Sequence, residues 1–138
     1  MKYVLDGDPV VWAHAGVNGK RLYSTQKHHK LVMSIHLTNQ HDDRPLYDGP
    51  IIMDVTFFMP IPSRVQDSSL WESTPANMKP DLFNLIKLIA EICQEVLFED
   101  PVIIYKVNAE RLYARKPRTE FTIRQLKKSE VYDQKENN

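Results

Sequence analysis

The sequence predicts an α+β fold, a small mixed β-sheet packed with two main helices. Three observations predict it. Apolar side chains alternate through 51–59, the period of a half-buried strand. Leu82, Leu85, Ile86, Ile89, Cys93, Val96 and Leu97 recur at helical spacing. Two further strand-like runs, 102–112 and 120–126, follow that helix and are joined by a short charged turn.

Taken in chain order, residues 1–5 read as a short strand, and Asp6-Gly7-Asp8-Pro9 as a turn. Asn18-Gly19 is a hairpin-turn signal leading into Lys20-Arg21-Leu22-Tyr23. Thr25 can cap a helix over 26–39 whose apolar stripe is Leu31, Val32 and Ile35. A loop rich in Asp and Pro covers 41–50. In the strand 51–59, Ile51, Met53, Val55, Phe57 and Met59 form one apolar face, and Pro60-Ile61-Pro62 stops it. The stretch 63–80 reads as a long mobile loop, with two prolines, a serine pair, scattered charge and Trp71, a length that in a small domain often signals function. Trp71 reads equally as a junction wedge, a partner anchor or a loop plug. The second helix is predicted over 81–97, with Asp81 as its cap. Arg115-Lys116-Pro117-Arg118 joins the last two strands. Residues 1–126 are expected to form one domain and 127–138 a polar, flexible tail.

Composition bounds the function. A chain of 138 residues with 42% hydrophobic content can bury a core without staples. Its one cysteine, Cys93, sits in the apolar helix, which excludes an intrachain disulfide and fits a buried thiol in a cytoplasmic protein. No run of about 18 apolar residues predicts a membrane span. An acid at Asp6 comes too early for a signal peptide. The net charge is zero, but its distribution is uneven: residues 41–100 carry four basic and eleven acidic side chains, and residues 101–128 carry eight basic and two acidic. A basic segment beside an acidic one suits a metal-bearing centre rimmed by phosphate contacts, or simply solvated surfaces. Lys20, Arg21, Lys27 and Lys30, with Arg111, Arg115, Lys116 and Arg118, are the candidate phosphate contacts.

The chemistry concentrates in Lys79-Pro80-Asp81-Leu82-Phe83-Asn84-Leu85-Ile86-Lys87 and Phe98-Glu99-Asp100-Pro101-Val102. An acid opening a helix, a lysine inside it and acids just after it are expected to converge at one end of the domain. Such carboxylates can hold a hard divalent cation, and the lysine can offset charge developing on a phosphodiester. On local grounds Asp81 is equally a helix cap and Lys87 equally a solvated lysine. The five histidines lack a metal-ligand spacing. Phe83 falls on the polar side of the helix with Lys87, Glu91 and Gln94, so its ring is either exposed or fills a pocket.

These segments resemble the RusA-like Holliday-junction resolvases, whose pattern is Lys-Pro-Asp-x-Asp-Asn-Leu-x-Lys, a helix, an Asp-Asp step and a strand. Gly7-x-Pro9-x-x-Trp12-Ala13 with Gly19-Lys20-Arg21-Leu22-Tyr23 is similar to the family's N-terminal signature. Asn108-Ala109-Glu110-Arg111-Leu112-Tyr113 with Lys116-Pro117-Arg118-Thr119-Glu120 resembles its C-terminal hairpin. The resemblance implies a RusA-like fold and a homodimer that binds four-way DNA junctions and makes paired cuts with Mg²⁺, which Mn²⁺ can replace. It carries a metal and catalytic role onto Asp81 and Asp100, a catalytic role onto Lys87 and a DNA-contacting role onto Asn84. His14 stands where an arginine is expected. Phe83 and Pro101 stand where two metal acids are expected, followed by Val102 and Ile103. The resemblance therefore implies either a weakened or inactive resolvase, or a non-catalytic member that binds branched DNA or a protein partner.

Overall fold

A computed structural model of the protein describes residues 1–9 and 19–130, with side chains described from residue 27 onward in the first helix. The elements are β1 (Lys2–Asp6), α1 (Gly19–His41), β2 (Ile51–Pro60), α2 (Leu82–Cys93), β3 (Ile104–Ala114) and β4 (Arg118–Gln125), with 3₁₀ turns at Ser68–Leu70 and Pro101–Ile103. The sheet order is β1-β4-β2-β3; β2 runs parallel to β3, and the other pairs are antiparallel. This is the predicted α+β arrangement with a small mixed sheet.

The alternation in β2 sets the layering. Ile51, Met53, Val55, Phe57 and Met59 are buried, and the centre of this face lies in register with inward residues of the neighbouring strands, as Val55 does with Phe121 and Ala109. Both helices cover that face. Met33 and Leu37 of α1 and Leu85, Leu88, Ile89, Ile92 and Cys93 of α2 join it in one hydrophobic core. Neither of these helices covers the opposite face of the sheet. There Lys2, Asp54, Thr56, Asn108, Glu110, Glu120 and Thr122 border an open polar depression.

Several expectations are corrected. Gly19 and the residues after it are already helical, so no strand follows the Asn18-Gly19 turn signal; Asn18 itself lies outside the described residues. A hairpin signal needs alternating flanks, and Lys20-Arg21-Leu22 offers none. Among the described side chains of α1 the buried ones are Met33, Leu37 and His41, whereas Leu31 and Ile35 are 59% and 52% exposed. Both are i, i+4 stripes; the one that wins includes a histidine that finds buried partners. The second helix stops at Cys93 instead of running to 97. Gln94 turns extended, Glu95 takes φ 68°, and the amides of Val96 and Leu97 both donate to the Cys93 carbonyl. That turn drives Leu97 and Phe98 into the core. β3 begins at Ile104, after the turn that holds Val102.

Three local devices tie the frame together. Gly7 adopts φ 117°, a conformation side chains avoid, as the chain leaves β1. The Gln40 amide accepts from Val4 N at 2.8 Å and donates to Val4 O at 2.6 Å, covering the free edge of β1. The Arg118 guanidinium lies 3.8 Å over the Phe58 ring, on the uncovered face. Cys93 is buried, and desolvation pushes its thiol up, so it stays protonated and inert as expected. Among the described residues no helix is long and apolar enough to cross a membrane.

Candidate functional site

The entry to α2 is built by β3. Arg111 is half-buried, and its Nη1 donates to the carbonyls of Met78 and, at 2.9 Å, Pro80. These bonds fix the segment that delivers Asp81. The Lys79-Pro80 peptide is cis. Asp81 then caps α2, its Oδ1 accepting from Asn84 N at 2.9 Å and its Oδ2 from Asn84 Nδ2 at 3.0 Å. Asp81 and Asn84, paired through the sequence motif, are thus brought together; both oxygens of the acid are engaged.

Beyond the cap, α2 turns Leu85, Leu88 and Ile89 inward and leaves Phe83 and Lys87 on the outside. Phe83 is 82% exposed, which decides between the two readings of its ring: it fills no pocket. The Lys87 ammonium has no hydrogen bond or ion pair among the described residues. Further along the helix Glu91 pairs with Lys30 of α1.

Asp100 behaves as Asp81 does. Its Oδ1 accepts from Val102 N at 2.9 Å and caps the Pro101–Ile103 turn. Val102 is 81% exposed. Asp100 also borders a small cavity with Tyr47, Asp48 and Glu99. No contact joins Asp81 to Asp100 among the described residues, and no three His, Cys, Asp or Glu side chains there are grouped to hold a metal. A protein-held Mg²⁺ needs several anionic oxygens in near-octahedral array, and Mn²⁺ is likewise an oxygen-site ion. Two capping carboxylates, a phenyl ring and a proline do not fit that requirement.

The candidate DNA contacts divide in two. The side chains of Lys27 and Lys116 are exposed and unengaged among the described residues, and Arg115 is exposed with only its backbone N–H bonded, to Glu72 at 2.9 Å. Lys30, Arg111 and Arg118 are committed inside the molecule: to Glu91, to the Met78 and Pro80 carbonyls, and to Lys116 O and Glu120. Lys20 and Arg21 lie in α1, where their side chains are not described, and His14 lies outside the described residues. Exposed, unengaged cations near the motif and the long loop also escaped the sequence reading, among them Arg64 and Lys79. Lys79 stood in the helix motif itself, and Arg64 stood in the long loop already marked as functional.

Comparison with known proteins agrees with the motif order. A Bacillus subtilis (strain 168) protein, "Uncharacterized protein YqaN", is 24% identical over 138 residues, covering 91% of this chain and 96% of that one. The sequence model of the family Endodeoxyribonuclease RusA matches residues 11–124. With α2, the capped turn after it and the β3–β4 pair all inside that match, the chain belongs to the RusA endodeoxyribonuclease family.

Proposed function

We propose that this protein engages four-way DNA junctions as a RusA-family resolvase and that its metal-dependent cleavage is impaired. Family membership supports the branched-DNA substrate. The impairment rests on one observation above the others: the position expected to supply the second acid of the helix motif carries Phe83, 82% exposed, which offers no oxygen ligand. In this reading Asp81, Lys87 and Asp100 mark the former reaction centre. Lys27, Lys79, Arg115 and Lys116 contact phosphates. The protein works as a cytoplasmic homodimer through its 1–126 domain, with 127–138 as a polar tail.

Fewer acids near the DNA also mean less repulsion of phosphates, so binding outlasts cleavage. Gel shifts with a labelled junction and a linear duplex of equal length, at moderate salt, test the first part. The expected result is at least a tenfold preference for the junction, with no more than trace nicking when Mg²⁺ or Mn²⁺ is added. Equal affinity for both DNAs would overturn the substrate, and rapid nicking would overturn the impairment.

The exposure of Phe83 and Val102 favours one alternative, a non-catalytic member that docks a protein partner there. A heteromeric partner recovered with the wild type and lost with Phe83→Asp, together with absent junction preference, would establish that reading instead.

A further inference from the structure

The long segment 63–80 is not a loose loop. Ser73 N donates to Tyr113 O at 2.8 Å, Tyr113 N to Thr74 O at 2.9 Å, and Ala76 N to Arg111 O at 2.9 Å, so its second half is zipped along the end of β3. Thr74 Oγ1 donates to Trp71 O at 2.6 Å, and Asp67 caps the Ser68–Leu70 turn at 3.1 Å. Between this segment and β3 lies a cleft of about 570 Å³. That size falls within the range of small-ligand sites.

Its walls have a definite chemistry. Trp71 is half-buried and meets Tyr113 edge-on, with ring centroids 5.1 Å apart at 64°. The opposite lining includes Met78 and the 74%-exposed Leu70. Tyr113 is buried; its hydroxyl accepts from Asn77 N at 3.1 Å, and no acceptor takes its proton among the described residues. The Asn77 side chain offers both a donor and an acceptor. Arg64 stands at the rim, exposed and without a partner among the described residues.

We propose that this cleft binds an unpaired nucleobase of branched DNA, with Trp71 supplying the stacking surface, Asn77 and the Tyr113 hydroxyl the base-edge contacts, and Arg64 a phosphate contact. A flat aromatic face, in-plane hydrogen-bonding groups and one free guanidinium are the elements that recognise a splayed-out nucleotide. The cleft also adjoins the motif segment: Met78 lines it, and the Met78 carbonyl shares Arg111 with Pro80, the residue before Asp81. This inference rests on the reading that the chain engages junctions.

The test uses the full, unaltered chain first. Four-way junctions carrying 5-iodouracil at the branch point, or in the middle of an arm, are photo-crosslinked and the adduct is mapped by mass spectrometry. The expected adduct is on Trp71, and only with the branch-point label. Arg64→Ala is then expected to weaken junction binding several-fold and lower the salt slope by about one. Trp71→Leu is expected to abolish the adduct and cost about tenfold in junction affinity, leaving duplex affinity unchanged. If the junction is preferred over duplex but adducts map elsewhere and both variants bind as wild type does, the cleft is not a base site while the junction reading stands. If the junction is not preferred at all, both fall together.

Discussion

The Pro45 carbonyl can only accept, and it lies 2.9 Å from His41 Nε2, so that nitrogen carries the imidazole proton. In the neutral ring Nδ1 accepts from the Tyr3 hydroxyl at 2.8 Å, and the Tyr3 oxygen then accepts from Tyr47 at 3.0 Å. Burial, reinforced by the Tyr47 bond, pushes the Tyr3 phenol well up, which keeps it a neutral donor. Tyr3→Phe removes the middle of this chain and leaves His41 without a donor, so it is expected to cost about 1–3 kcal/mol in urea unfolding. A cost below about 0.5 kcal/mol would show that water replaces the bond. Arg111 is a second residue whose role is internal. Arg111→Met strips donors from the carbonyls of Met78 and Pro80. It is expected to destabilise the protein by about 1–3 kcal/mol. A variant as stable as wild type with weakened DNA binding would restore Arg111 to the phosphate contacts.

At the scale of elements, the capping geometry separates two roles for Asp81. A cap needs only an oxygen acceptor, so Asp81→Ala is expected to lower stability by about 1 kcal/mol while Asp81→Asn leaves it nearly unchanged. Equal losses in both variants, read by thermal unfolding, would mean that its charge matters more than its bond to Asn84. The Ser68–Leu70 turn has a pH dependence of known sign. Bonds from the Ser69 side chain and backbone hold the Asp67 carboxyl below its usual range. The turn's support from Asp67 is therefore complete above the ordinary aspartate range and lost as pH falls through the depressed value. Acid is expected to expose residues 67–71 to proteolysis before the sheet opens. Strand β2 and the helix α2 were legible because a fully buried face imposes its period on the sequence. The buried stripe of α1 was not, because its last buried residue is a histidine that only the distant Tyr3 and Pro45 satisfy. The cap role of Asp81 was legible from residue type and position, while its second bond from the Asn84 side chain and the cap at Asp100 needed the geometry.

At the scale of the molecule, both helices lie on one face of the sheet and leave the other to Asp54, Glu110 and Glu120 among polar neighbours. Those carboxylates have local partners: Asn108 Nδ2 donates to Asp54 at 2.6 Å, Thr56 to Glu110 at 3.2 Å, and Lys2 pairs with Glu120 at 3.1 Å. The same outward register places Lys2, Lys106, Arg118 and Arg124 beside those acids, so the face is of mixed charge. Family membership was legible from motif order along the chain, and the structure adds what the altered positions now are: an exposed phenyl ring and a capped, proline-led turn. The central claim is that the fold still engages junctions while these positions limit cleavage. Single-turnover cleavage of a labelled four-way junction in Mg²⁺, comparing wild type with Phe83→Asp/Pro101→Asp, tests it most directly. The account predicts tight binding with only trace cleavage by the wild type, and cleavage at least tenfold faster in the double variant. A wild type that cuts efficiently, or a folded, junction-binding double variant that cuts no faster, would contradict it.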